Sequence, residues 1–293
     1  MNRDSESVFL RVRGLDYHCR VWGAPGAPLL FMLHGWMDVS ASFQFVVEAL
    51  RGEWRVIAPD WRGFGLTQWS GADSYWFPDY LGDLDAILNV FALDAPVRLC
   101  GHSMGGNIAA LYAGVRPARV RRLINLEGFG LPRTRPGAAP RRYARWLSEL
   151  PARQEFRDYD GFDELAQRLR ERNPRLGAER AAFLARHWGA DAPGGRVRLR
   201  ADPAHRRVNP VQYQLDEAQA CWAAVRCPVL WVEGADSRSP EQLHVSPDEL
   251  VARRSAMPGT RTLVIPGAGH MLHHDQPVLL AEAMEAFLLE DGG

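Results

Sequence analysis

Three short stretches carry side chains that together can do acyl-transfer chemistry. The first is Gly101-His102-Ser103-Met104-Gly105, which lies between an apolar run and a stretch of small residues. That setting predicts a sharp strand-to-helix turn with the serine hydroxyl at its tip. Two positions either side of the serine, the chain must pass close to itself, and glycine fits there. A serine hydroxyl is a poor nucleophile until an imidazole takes its proton. Gly267-Ala268-Gly269-His270-Met271 offers one on a glycine-flexed loop, with His273 and His274 as neighbouring decoys. The third stretch, His34-Gly35-Trp36, follows another apolar run. The main-chain N–H groups of Trp36 and Met104 are the expected donors to a developing oxyanion, the second at the positive end of a helix. His34 is expected to brace its loop rather than act as a base.

These residues need a scaffold that brings them together. Residues 8–12 and 17–22 flank a turn at 14–16 and predict an opening antiparallel hairpin. The apolar runs at 29–33, 54–58, 97–100, 123–126, 228–232 and 262–265 are too short for helices and read as strands buried on both faces. Helical spacing covers 43–50, 80–91, 107–115, 247–255 and 277–289. Strands alternating with helices predict an α/β architecture, a mostly parallel central sheet flanked by helices. Between 129 and 226 the rhythm breaks, and helix patterns at 141–150, 162–173 and 178–188 follow one another with no strand. We expect a core made of 1–128 and 227–293, with 129–226 as a helical cap inserted after the sixth strand.

On these motifs the chain resembles the α/β-hydrolase-fold serine hydrolases with a helical cap, and the likeness covers nearly all of it outside the cap. Asp60-Trp61-Arg62-Gly63-Phe64-Gly65-Leu66-Thr67 is similar to the family's D-x-R-G-x-G-x-S loop, with Thr67 where serine is usual. A structural role is expected for Asp60 and Arg62. The resemblance implies a carboxylate that holds the histidine tautomer and stabilises the imidazolium. Its usual place is a G-x-x-D pattern after the seventh strand. Here Glu233-Gly234-Ala235-Asp236-Ser237 puts Ser237 at that place and Asp236 one residue early. Some relatives carry the acid at the end of the sixth strand, where this chain has Glu127 followed by Gly128-Phe129-Gly130. Glu127 and Asp236 both stand as candidates.

Serine as the nucleophile departs from the haloalkane dehalogenases and epoxide hydrolases of this fold, which use aspartate to attack an sp³ carbon. A serine forms an acyl-enzyme from a carbonyl substrate, so the expected activity is hydrolysis of a small carboxylic ester or lactone. A serine-dependent C–C bond hydrolase, a non-catalytic receptor or scaffold with an idle triad, and cofactor-free oxygenation are the alternatives.

Composition narrows the field. The chain has 293 residues, 46% of them hydrophobic and 24% charged, which is ordinary globular composition. Its 35 basic residues, all arginine, balance 35 acidic ones, which argues against a nucleic-acid or anionic-membrane partner. Cys19, Cys100, Cys221 and Cys227 lack metal-ligand spacing and are expected to be reduced, buried thiols. No cofactor or metal is expected, and adjacent ligands in His273-His274-Asp275 converge poorly on one ion. Residues 1–7 are polar, and no apolar run nears the ~20 residues of a membrane helix. The expectation is a soluble, cytoplasmic monomer or homodimer acting on a small molecule. Tyr143, Trp146, Trp188, Tyr213 and Trp222 are candidate pocket walls. Arg141, Arg142 and Arg145 are candidates to receive a substrate carboxylate, with ion pairing as the alternative. Asp202-Pro203-Ala204-His205 stands out as a polar cluster without an assigned role.

Overall fold

A computed structural model describes residues 3–290, so the expected core boundaries at 1 and 293 lie outside the described residues. β1 (Ser5–Val12) and β2 (Leu15–Trp22) form an antiparallel hairpin around Arg13 and Gly14, both at positive φ. Then β3 (Leu29–Leu33), α1 (Gln44–Ala49), β4 (Arg55–Pro59), α2 (Phe77–Ala92), β5 (Val97–His102), α3 (Met104–Val115) and β6 (Val120–Leu126) alternate along the chain. Next come α4 (Ala139–Glu149), α5 (Phe162–Arg172), α6 (Ala178–Trp188), β7 (Gly189–Ala192), β8 (Arg196–Leu199) and α7 (Leu215–Ala223). The chain closes with β9 (Val229–Gly234), α8 (Ser239–Gln242), α9 (Pro247–Ser255), β10 (Thr260–Ile265), α10 (Leu272–Asp275) and α11 (Pro277–Leu288).

Eight of the strands make one sheet in the order β1-β2-β4-β3-β5-β6-β9-β10, antiparallel across β1, β2 and β4 and parallel from β4 onward. Side chains of a strand alternate between faces, and an apolar run therefore feeds two cores at once. Phe31 and Leu33 of β3 pack with Leu84 and Ile87 of α2, and with Ile108 and Tyr112 of α3. Leu30 and Met32 of the same strand pack on the other face with Val46 and Val47 of α1, and with Leu280 and Met284 of α11. Every parallel strand points its C-terminal end to the same edge. The loops after β3, β5, β6, β9 and β10 gather there, at the usual ligand edge of an open α/β sheet.

The stretch between β6 and β9 departs from the expected purely helical one. β7 and β8 pair as an antiparallel hairpin, apart from the main sheet. It packs with α5 and α6 around a small core that includes Leu165, Leu169, Leu184 and Val197. Its last helix, α7, lies against α3. A Cβ at Gly114 would come within 1.8 Å of the Cys221 carbonyl, so the small residues of α3 admit that close approach. Trp222, expected at a pocket wall, is instead wholly buried in this helix layer. The four cysteines are free; Cys221 is only half-buried.

Candidate active site

Ser103 sits between β5 and α3 at φ 52°, ψ −114°, a strained backbone for a residue with a Cβ. The flanking glycines make the turn sterically feasible. A Cβ at Gly101 would lie 2.3 Å from the Gly105 carbonyl oxygen, and one at Gly105 would lie 2.1 Å from that of Leu33. Glu127, directly after β6, is also at positive φ, 58°. Two strained non-glycine residues at adjacent strand ends each cost about 1–3 kcal/mol, and such outliers cluster at functional sites.

The strain brings three side chains into line. Ser103 Oγ donates to His270 Nε2 at 3.0 Å, and His270 Nδ1 donates to Glu127 Oε2 at 3.1 Å. Glu127 is buried, and its carboxylate is held from two further directions: the Gly234 N–H donates to Oε1 at 2.8 Å and Ser237 Oγ to Oε2 at 2.5 Å. Ser237, the residue standing where the family pattern expects an acid, thus donates to the carboxylate that reaches the histidine. Asp236 does not reach it. Its side chain is largely exposed and pairs with Arg175 at 2.8 Å. Such an arrangement can move the serine proton to the imidazole and stabilise the resulting cation.

Gly35 passes directly behind Ser103, since a Cβ there would lie 3.2 Å from Ser103 Cβ. The Trp36 and Met104 main-chain N–H groups donate no hydrogen bond among the described residues, and both residues line the same cavity as Ser103 and His270. Their neighbour His34 is tied down. The Trp61 N–H donates to its Nε2 at 2.9 Å, so its Nδ1 carries the proton and donates to the Gly35 carbonyl at 2.7 Å. Burial lowers its pKa and keeps it neutral. Asp60 and Arg62 likewise brace loops: Asp60 binds His18 at 2.7 Å, and Arg62 makes a bidentate pair with Asp83, both contacts 2.6 Å.

Behind His270 lies a buried polar layer that sequence spacing does not reveal. His102 Nε2 donates to the His270 carbonyl at 2.8 Å, tying the nucleophile turn to the histidine loop. Its ring faces His273, which lies 3.5 Å from Asp38. The candidate ligand atoms of Asp38, His102 and His273 all lie within 4.8 Å of one another. Burial, then His273 and His270, holds the His102 pKa well below its ordinary value. Among the described residues these three, and not His273-His274-Asp275, form the grouping that chemistry would allow around a cation. Their union depends on loop packing across three strand ends.

The cavity above Ser103 has a volume of about 790 Å³ and mainly apolar walls. Its aromatic lining comes from Trp36, Tyr75, Trp76, Phe77, Tyr80, Phe129 and Tyr213. Tyr213 was expected there; Tyr143, Trp146 and Trp188 were too, and they are elsewhere. Tyr143 is half exposed, Trp146 lies outside the lining, and Trp188 packs beside the small core, its indole N–H 3.4 Å from Ser42 Oγ. Helical spacing cannot tell which side of an inserted helix faces the sheet. The missed wall comes from the junction of a polar loop with α2, where Tyr75-Trp76-Phe77-Pro78 is an apolar run. The Asp202 cluster now has a role. Asp202 caps the turn at Pro203–Arg206 and accepts from Tyr75 Oη at 2.7 Å, fixing that ring in the wall.

His205 stacks between Phe64 and Tyr75 with ring centroids 3.9 and 3.8 Å away, and burial pushes its pKa down to about 3. Burial, then Arg20, pushes that of His187 down to about 4. In the unfolded chain both titrate near 6.5. The unfolded state therefore takes up protons first, and their contribution to stability is present above ~6.5 and lost as pH falls toward 4 and then 3. Thermal unfolding followed by circular dichroism should show a midpoint at pH 5 at least about 4 °C below that at pH 7.5. Equal midpoints would mean that neither histidine is buried neutral.

A family model described as alpha/beta hydrolase fold matches residues 28–277. The chain belongs to this family. It is 25% identical to a serine hydrolase-like protein of Danio rerio, over 98% of this chain and 90% of that one. It is 31% identical to a 3-hydroxybutyrate-oligomer hydrolase of Cupriavidus necator, over 93% and 92%. Among solved structures it is similar to the thioesterase domain from the curacin biosynthetic pathway, with TM-score 0.86, 26% identity, and coverage of 96% and 99%. This alpha/beta hydrolase therefore has serine hydrolase-like and thioesterase relatives. None of its described helices is long and apolar enough to cross a membrane.

Proposed function

We propose that this alpha/beta hydrolase is a serine hydrolase that cleaves a carboxylic ester or lactone through an acyl-enzyme. The observation that carries this reading is the unbroken line Ser103 Oγ–His270–Glu127, with contacts of 3.0 and 3.1 Å, opening on a cavity of about 790 Å³. His270 Nε2 takes the hydroxyl proton as Ser103 Oγ attacks the carbonyl carbon. The Trp36 and Met104 N–H groups receive the oxyanion, and Glu127 stabilises the imidazolium. His270 then gives its proton to the departing alcohol oxygen. Water, deprotonated by His270, attacks the acyl-enzyme and releases acid and serine. Residues 129–226 act as the cap that closes the cavity over the core of 1–128 and 227–293.

Two names among the similar proteins, a 3-hydroxybutyrate-oligomer hydrolase and a thioesterase, fit a carbonyl substrate. The cavity lies within the roughly 300–1,000 Å³ of small-molecule sites and has room beyond a short acyl group. A panel of p-nitrophenyl esters of graded chain length, with lactones alongside, tests the reading. Turnover that rises from acetate to a medium chain is expected. Inactivity on every ester and lactone would overturn the assignment and favour C–C bond cleavage.

A further inference from the structure

Arginine is the sole lysine-type or arginine-type cation of this chain, and nine of the nineteen arginines in the inserted segment meet carboxylates. Arg145 pairs with Glu149 at 2.6 Å, Arg157 with Glu164 at 2.8 Å, Arg198 with Asp158 at 2.8 Å, and Arg133 with Asp216. Two arginines of this segment line the cavity above Ser103, and they are matched poorly. Half-buried Arg142 on α4 makes no ion pair among the described residues; its Nη1 donates to the Asn209 carbonyl at 2.9 Å. Arg207, only 15% exposed at its side chain, reaches the exposed Asp73 at 3.5 Å, and two main-chain carbonyls at 3.3 and 3.4 Å. Its Nε is buried without a partner. The Arg142–Asn209 bond sets one guanidinium against the very segment that carries the other.

A third group belongs to the same lining. Tyr213 Oη is buried with no hydrogen-bond partner among the described residues. The two carboxylates that share the lining do not neutralise the arginines: Glu127 is engaged by His270, Ser237 and Gly234, and Glu217 is exposed. Under-neutralised cations and an orphan hydroxyl in a largely apolar wall carry a desolvation cost that a bound anion would relieve. Arginine's planar fork suits a carboxylate, often with two hydrogen bonds.

We propose that the natural substrate is an ester bearing a carboxylate remote from its scissile carbonyl, read by Arg142 and Arg207 with Tyr213 donating a further hydrogen bond. This rests on the ester-hydrolase reading above and adds the substrate's charge. Two matched pairs of probes test it. Mono-p-nitrophenyl suberate against p-nitrophenyl octanoate places the charge on the acyl side. 5-Carboxypentyl butyrate against hexyl butyrate places it on the alcohol side.

The charged member of one pair should have the higher kcat/KM by about tenfold or more, carried by KM. In Arg142→Met and Arg207→Met that ratio should fall toward one, with partial recovery in Arg207→Lys. A merely structural loss would lower both members together and leave the ratio standing, which would overturn the proposal. So would a preference for the neutral member in both pairs. Failure to cleave any of the four esters would instead sink the hydrolase reading itself.

Discussion

Ser103→Ala is expected to lower kcat for the best ester by about 10⁴- to 10⁶-fold while leaving the fold intact. The size follows from the chemistry: without Oγ there is no acyl-enzyme, and only the oxyanion donors and substrate binding remain to act on water. The fold should survive because alanine keeps the Cβ that the strained turn already accommodates at φ 52°, and because among the described residues Ser103 Oγ hydrogen-bonds only His270. Loss of the Oγ strain cost is not expected, since the strain lies in the backbone. Residual turnover above a hundredth of the parent would mean that another group attacks the substrate.

Glu127→Ala should cost about 10³- to 10⁴-fold in kcat, whereas Asp236→Ala should stay within about threefold of the parent. Glu127 is the carboxylate whose oxygen lies 3.1 Å from His270 Nδ1; Asp236 sits on the surface opposite Arg175. Removing Glu127 also leaves the Gly234 N–H and Ser237 hydroxyl without their acceptor, so a loss of stability of about 1–3 kcal/mol accompanies the kinetic loss. Glu127→Gln separates the two effects. Its amide oxygen can accept from the Gly234 N–H and its NH2 can donate to the Ser237 hydroxyl, but it removes the charge that stabilises the imidazolium, so its kcat should remain low while its melting temperature partly recovers. Equal kinetics for Glu127→Ala and Asp236→Ala would contradict this division.

The strands were legible because a parallel sheet covered on both faces needs short, continuous apolar runs, and residues 29–33 and 97–100 are such runs. The nucleophile turn was legible for a steric reason: only glycine fits at 101 and 105, where a Cβ would strike a carbonyl oxygen. The acid was not. Glu127 and Asp236 both follow strands that end at the same sheet edge, and what separates them is a hydroxyl at 237, an amide at 234 and a guanidinium at 175, all remote from Glu127 in sequence. The inserted segment hid more. β7 reads Gly-Ala-Asp-Ala, with neither β-branched nor aromatic residues, and its pairing with β8 depends on packing against α5 and α6. Tyr143 and Trp146 have helical spacing but no lining role, while Tyr75 and Trp76 wait in a loop that Asp202 and Asn209, more than 120 residues later, hold through hydrogen bonds to Tyr75.

The buried layer of Asp38, His102 and His273 was hidden for the same reason, since its members come from a loop, the end of β5 and the short α10, far apart in the chain. Through the His102 bond to the His270 carbonyl, the turn that exposes the serine and the loop that carries the imidazole are held as one unit. That coupling keeps a contact of 3.0 Å between residues far apart in the chain.

Covalent labelling reads that contact directly. The folded protein is treated with a fluorophosphonate, digested, and its peptides are weighed by mass spectrometry. A single phosphonyl adduct on the peptide containing Ser103 is predicted, absent from Ser103→Ala and formed far more slowly in His270→Ala. An unlabelled folded protein, or an adduct that persists in Ser103→Ala, would show that this hydroxyl is not the activated nucleophile.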